Sequence, residues 1–320
     1  MGKKLLVSSS PHLRSGRTTQ KIMLNVIIAL VPAVIAATVI FGLRALMLIA
    51  VTVIVSVAAE YVSRRVMKRE NTISDLSAVV TGLLLALNFP VGLNFLMAAF
   101  GAVAAIVVVK QMFGGIGQNF VNPALAARII LLVSFPQDMT TWVAPFSHLN
   151  STDAVTSATP LAQNASGGFT GSYLDLFLGN TGGCIGETCA LALIIGGIYL
   201  IATKTISPTI PVVYLGTVAV IALIAGQDPI FHLLSGGVLL GAIFMATDYT
   251  TSPITPWGKA VFALCCGIIT MLIRLYANLP EGVSFSILLM NILVPHIENL
   301  TRPRAFGYIK EKKSKEEKAK

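Results

Sequence analysis

The side chains best placed to do chemistry lie in one short stretch, DAVTSATPL (Asp153–Leu161), where Thr156, Ser157 and Thr159 crowd their hydroxyls together. No Lys or Arg occurs anywhere between positions 137 and 186, so no basic side chain stands nearby in sequence to activate them. Ser147 and His148 are adjacent, and neighbours along a chain rarely face each other as nucleophile and base. His12, His148, His232 and His296 are scattered, with no HExxH and no paired-ligand spacing, so no metal site is argued. Cys184 and Cys189 lack a usual zinc or iron–sulfur spacing, while Cys265 and Cys266 sit in an apolar run; all four read as small apolar fillers. Hydrolysis and metal catalysis are unsupported, and the hydroxyls need another use.

Other polar clusters interrupt the apolar sequence. GGIGQNFVNPA (Gly114–Ala124) has Gly115 among glycines that let backbone approach a flat or anionic group, with Asn119 beyond them. Its Asn122-Pro123 pair predicts an N-cap followed by a first-turn proline. MATDYTTSP (Met245–Pro253) carries Thr247 and Asp248, and Thr72–Ser77 carries Asp75; these carboxylates are either membrane-mouth functional groups or exposed helix ends. GNTGGCIGET (Gly179–Thr188) sets Gly182 and Gly183 before an apolar run, an arrangement that can receive an anion at a helix start. Glu187 is expected in the first turn of that helix, where a carboxylate suits the dipole. Arg128 and Arg274 fall inside apolar runs; Arg274 is expected to snorkel to an interface, whereas Arg128 needs a buried anionic or carbonyl partner.

The elements that must position these groups are membrane helices. The chain has 320 residues, 55% of them hydrophobic and 12% charged, and its mean hydropathy is +0.79. Soluble domains carry about 25% charged residues. The reading is an all-α membrane protein of about ten transmembrane helices, near 22–41, 45–62, 75–90, 93–109, 120–136, 187–203, 209–226, 230–247, 260–277 and 283–298. The first 21 residues are polar and basic, and no cleavable signal peptide is expected. The net charge of +9 does not argue for nucleic acid, because the cations occupy tails and short loops. With both termini cytoplasmic, only Arg44 of the 23 Lys and Arg falls on an outer connection, and only Arg128 and Arg274 fall within spans. The organisation is then a cytoplasmic segment 1–21, a five-helix half 22–136, an extracytoplasmic loop 137–186 with the hydroxyl motif, a second half 187–298, and a charged cytoplasmic tail 299–320. Five helices per half makes the halves inverted repeats. Ser74–Pro90 and Ser235–Pro253 echo one another weakly as short Gly-containing apolar runs.

Asp153-x-x-Thr156-Ser157-Ala158-Thr159 resembles the signal at which a flavin transferase links FMN, through its phosphate, to the last hydroxyl, here Thr159. Position 157 is Ser where many relatives have Gly. Ser10–Ala33, GGIGQNFVNPALAAR, GCIGETCALALIIGGIYL and ATDYTTSP also look like signatures of one family, in order along nearly the whole chain. That family is RnfD, the D component of the Rnf ion-translocating oxidoreductase, similar also to the B component of the sodium-pumping NADH:quinone reductase. Tyr249 and Cys189 stand where relatives often have Pro and Ser. The resemblance implies covalent FMN on Thr159, a second and non-covalent flavin (riboflavin) in the membrane part, and a bacterial cytoplasmic-membrane complex with RnfA, RnfB, RnfC, RnfE and RnfG. Electrons from ferredoxin would pass an outer FMN on RnfG, then this chain, then return inward toward the NAD-reducing component.

On this expectation Thr159 needs no base of its own, since the transferase supplies catalysis, and Thr156, Ser157 and Ala158 serve recognition and packing. Preceding a proline, Thr159 is expected to be extended, with its side chain held off its own backbone. Gly182, Gly183 and Glu187 are candidates beside the phosphate; Gly115, Asn119, Asn122, Arg128, Thr247 and Asp248 are candidates for the second flavin. The competing expectation is a ten-helix secondary transporter or channel without flavin, motivated by the inverted halves and polar helix breaks.

Overall fold

The computed structural model describes residues 16–149, 156–166, 168, 171–277 and 282–303. Asp153 of the hydroxyl motif, Lys3, Lys4 and Arg14, and the tail from Arg304 lie outside the described residues. The described residues are predominantly helical, and their only β pairing is an isolated bridge between Val143 and Thr156.

Apolar length sets the frame. Helices α1 (Thr19–Phe41), α2 (Leu43–Val66), α13 (Pro256–Tyr276) and α14 (Gly282–Thr301) are the four long and apolar enough to cross a membrane. Shorter apolar helices fill the remaining ranges: α3 (Ser77–Leu87), α4 (Phe95–Val103), α5 (Pro123–Ser134), α9 (Ala190–Ala202) and α10 (Thr209–Ile224). The range 230–247 is not one helix: α11 (Pro229–Leu234) stops at Ser235-Gly236, and α12 (Val238–Leu240) passes into a π-helical turn, Gly241–Met245. A second π-helical stretch, Ala104–Gln111, continues α4. Ile35, Val39, Val212 and Leu223 are exposed on helix flanks, as lipid-facing residues are.

Between α5 and α9 the chain is more ordered than a loop. It forms α6 (Pro136–Met139), α7 (Pro160–Ser166) and α8 (Tyr173–Leu178), the last with a complete Ser172–Asp175 capping box. This segment lies over the α1–α2 turn: Phe146 N donates to Ile40 O at 2.8 Å. At that turn Gly42 has φ +76°, and a Cβ there would stand 2.9 Å from the His148 ring, so the turn requires glycine.

The two halves meet through close helix contacts. α9 packs on α1, and at Gly196 a Cβ would lie 2.2 Å from Ala29 O. Small residues permit such approach where lipid tails provide no hydrophobic drive. Before α9, Ile185 N and Gly186 N donate to Phe89 O and Leu87 O at 2.9 and 2.8 Å, closing the end of α3 with non-helical backbone. Each of these polar groups is satisfied by protein, as the hydrocarbon depth demands.

Candidate functional site

The residues singled out in the sequence gather at two places and around one buried bridge. At the first place, Ser157 N donates to Trp142 O at 3.0 Å, extending the Val143–Thr156 bridge. This pairing turns the Thr159 side chain inward: Thr156 and Ala158 are exposed, and Thr159 is 7% exposed. Pro160 opens α7, and Thr159 Oγ1 accepts from Ala162 N at 3.2 Å. The hydroxyl therefore caps the following helix instead of standing clear of its own backbone, as expected before a proline. The geometry of an N-cap itself needs the extended conformation that proline imposes.

Thr159 faces two cavities. The smaller, ≈ 380 Å³ of empty space, is also lined by Gly182, Gly183, Glu187, Thr188 and Ser235. Thr188 Oγ1 and Ser235 Oγ are buried there without a hydrogen-bond partner, at 4% and 0% exposure. Unpaired buried hydroxyls are costly unless something else satisfies them. The larger, ≈ 1180 Å³, opens beside Thr156, Ser157 and Ala158 and is bordered by Trp142, Met139 and Phe285. Gly182 is pressed on the motif, since a Cβ there would lie 2.2 Å from Ser157 Oγ.

Glu187 is not in the first turn of a helix. It sits in a turn, α9 begins at Ala190, and the carboxylate forms a buried ion pair with Arg128 Nη1 at 2.9 Å. The partner 59 positions away outweighed the dipole of the nearby helix start. Arg128 also donates to Asn88 Oδ1 and to Cys184 Sγ, and Cys184 in turn donates to Asn88 O at 3.2 Å. Cys184 is thus a hydrogen-bonding member of the cluster, not a filler, while Arg128 reaches the smaller cavity only through Glu187. Arg274 does not snorkel: it donates to His232 O and Ser235 O at 2.8 and 2.9 Å, at the break that ends α11.

At the second place, Asn119, Asn122, Thr247 and Asp248 line one cavity of ≈ 800 Å³ with Ile22, Met23 and Phe244. Asn122 caps α5 as expected, accepting from Ala124 N, with Pro123 at the first helical position. Its Nδ2 donates to Met245 O at 3.3 Å, tying α5 to the π-helical turn. Asp248, half-buried beyond that turn, is raised above the ordinary carboxylate range by burial, against which Thr251 Oγ1 donates at 3.1 Å. Gly115 lies apart from this cavity, under the Arg64 guanidinium, where a Cβ would be 2.1 Å from Nη2. Among the described residues no group of His, Cys, Asp and Glu could hold a metal ion.

Sequence reading missed one further group. Lys110 lines the second cavity and pairs with Glu60, 50 positions earlier, at 3.0 Å. No local signal announces a pair so distant in the chain.

Comparison with known proteins places this geometry. The model of the NQR2, RnfD, RnfE family matches residues 6–307. The chain is 54% identical over 313 residues, 97% of both chains, to the D component of the Na(+)-translocating ferredoxin:NAD(+) oxidoreductase complex of Acetobacterium woodii. It is 43% identical over 320 residues, 94% of this chain and 96% of the other, to the D component of the proton-translocating ferredoxin:NAD(+) oxidoreductase complex of Clostridium ljungdahlii. It is 39% identical over 332 residues, 91% of this chain and 92% of the other, to the D component of the ion-translocating oxidoreductase complex of Stutzerimonas stutzeri.

Proposed function

This chain belongs to the NQR2, RnfD, RnfE family, and from that premise we propose that it is the membrane electron-relay component of a redox-driven ion-translocating ferredoxin:NAD oxidoreductase. On this reading it carries FMN covalently on Thr159 and a non-covalent riboflavin in the cavity of Asn119, Asn122, Thr247 and Asp248. Its partners are RnfA, RnfB, RnfC, RnfE and RnfG, with a flavin transferase for maturation. It is read as two inverted five-helix halves, with both termini cytoplasmic and the Thr159 segment outside.

The observation that carries the reading is the buried Thr159 hydroxyl facing a small cavity whose other hydroxyls, Thr188 and Ser235, lack partners. The residues present fit a phosphodiester. Thr188 and Ser235 have hydroxyl protons to donate, Gly182 and Gly183 bring backbone close, and Arg128 draws the Glu187 carboxylate into an ion pair. The larger cavity beside Trp142 and Phe285 has room for a flat ring system, with aromatic faces available to stack on it. Bound flavin supplies one- and two-electron exchange; the chain's own residues supply position, charge and exclusion of water.

The inner cavity fits a second flat heterocycle on similar grounds. Asn119 and Asn122 bring amides to it, Thr81, Thr205 and Thr247 bring hydroxyls, and Val26, Leu84 and Phe244 form apolar walls. A transporter or channel without flavin leaves the unpartnered hydroxyls around Thr159 without a use.

The test is in-gel ultraviolet fluorescence of the denatured chain after co-expression with a flavin transferase. A fluorescent band is expected for the wild type and for Ser157→Ala, and its complete loss for Thr159→Ala. A dark wild-type band, or fluorescence surviving Thr159→Ala, overturns the attachment site.

A further inference from the structure

At the rim of the inner cavity lies a charged cluster that the flavin assignment leaves without a role. Glu60, near the end of α2 and 1% exposed, accepts from Lys110 Nζ, Gln111 Nε2 and Thr72 Oγ1 at 3.0, 2.9 and 3.0 Å. Lys110, 3% exposed, also donates to Ser77 Oγ at 2.7 Å, and both Lys110 and Ser77 line the cavity. An ammonium has three N–H donors and no acceptor. Glu60 and Ser77 take two of them, which leaves the third for whatever occupies the cavity.

The backbone is shaped to hold this lysine. Lys110 lies in the π-helical stretch Ala104–Gln111, where α4 leaves regular α geometry, and such stretches concentrate at functional sites. A buried ion pair is weak as a stabilising device, because apolar residues of similar volume do as well or better. What an apolar pair cannot supply is a fixed cationic donor at the cavity wall. Asp248 lines the same cavity and accepts from Thr251. The cavity therefore offers a cationic donor and an anionic acceptor. A planar ligand with carbonyl acceptors on one edge and N–H or hydroxyl donors elsewhere matches that pattern.

We propose that Lys110 donates to the redox-active ring of the non-covalent flavin and favours its reduced form, with Glu60 and Ser77 holding the ammonium in place. This rests on the reading that a second flavin occupies the cavity. Reduction adds negative charge to the ring, and a hydrogen bond from a fixed cation strengthens as that charge grows. Lys110 thereby sets the potential at which the chain accepts and releases electrons at this end.

The test is a redox titration of the non-covalent flavin in the purified complex, followed by its absorbance. Lys110→Gln is expected to weaken the preference for reduced over oxidised flavin about tenfold, which is about 30 mV for a two-electron couple, while Lys110→Arg stays close to wild type. Because Lys110→Gln alone strands Glu60, the double variant Lys110→Met/Glu60→Leu, free of buried charge, is titrated alongside at saturating riboflavin. The same tenfold loss is expected there. A double variant that folds, holds flavin and titrates at the wild-type potential reduces the pair to a structural contact and overturns the inference. A wild-type complex that releases no non-covalent flavin on denaturation overturns instead the reading on which it rests.

Discussion

Arg128→Met is expected to destabilise the chain by about 3–5 kcal/mol, the usual effect of stripping one member from a buried ion pair. Arg128 is 4% exposed and its Nη1 bonds Glu187 at 2.9 Å. Removing it leaves a carboxylate with no cation at 5% exposure, and leaves Asn88 Oδ1 without that donor. Glu187→Gln is expected to be milder, since a neutral amide still accepts from the guanidinium. The double variant Arg128→Met/Glu187→Leu should recover much of the loss, because it removes both charges together. Thermal unfolding of the four proteins in one detergent gives the coupling energy. Additive losses would show that the pair does not act as a unit. The same series tests the outer cavity, which Glu187 lines: Arg128→Met frees a negative charge beside the proposed phosphodiester, so the covalent flavin band should weaken even in protein that remains folded.

Gly196→Leu is expected to have a comparable effect by a different route. A Cβ at Gly196 would lie 2.2 Å from Ala29 O and 2.9 Å from the Phe244 ring. The first contact is with backbone, which cannot rotate aside, so α9 and α1 must separate. Overpacking of this kind typically destabilises by about 1–3 kcal/mol for small additions, and occasionally more. Gly196→Ala should fall in that range and Gly196→Leu beyond it. The consequence reaches the inner cavity, because Ile22, Met23 and Val26 of α1 and Leu200 of α9 line it. Riboflavin content should therefore fall together with the melting temperature. Gly216→Ala on α10 is the control: nothing lies within 4 Å of a Cβ there, and alanine is about 1 kcal/mol the better helix former. Equal effects at the two glycines would overturn the close-approach explanation.

Features written in neighbouring residues were legible in the sequence. Asn122-Pro123 announced the start of α5 because a cap needs only a side-chain oxygen and two nearby N–H groups. Thr159-Pro160 and Ser172-x-x-Asp175 carried the same kind of signal for α7 and α8, yet the absence of apolar periodicity around them concealed it. Features that depend on distant partners were not legible. Glu187 looked like a helix-start residue until Arg128 came within reach, and Arg274 looked like a snorkelling residue until the break after α11 freed two carbonyls. Asn119, Asn122, Thr247 and Asp248 were picked for their types, and the fold brings them to one cavity. Gly115 was picked for the same reason and serves a contact with Arg64.

The Arg128–Glu187 bond also orders events during synthesis. Chains emerge N-terminus first, at about 5–20 residues per second, so the 59 positions between the two residues correspond to a delay of roughly 3–12 s. Throughout that interval α5 presents a guanidinium whose carboxylate has not yet been made, while Asn88 is already present as an acceptor. The first half can therefore enter the bilayer but cannot finish packing alone. Its last charge is neutralised only when the turn before α9 arrives, which makes the newborn first half dependent on the second.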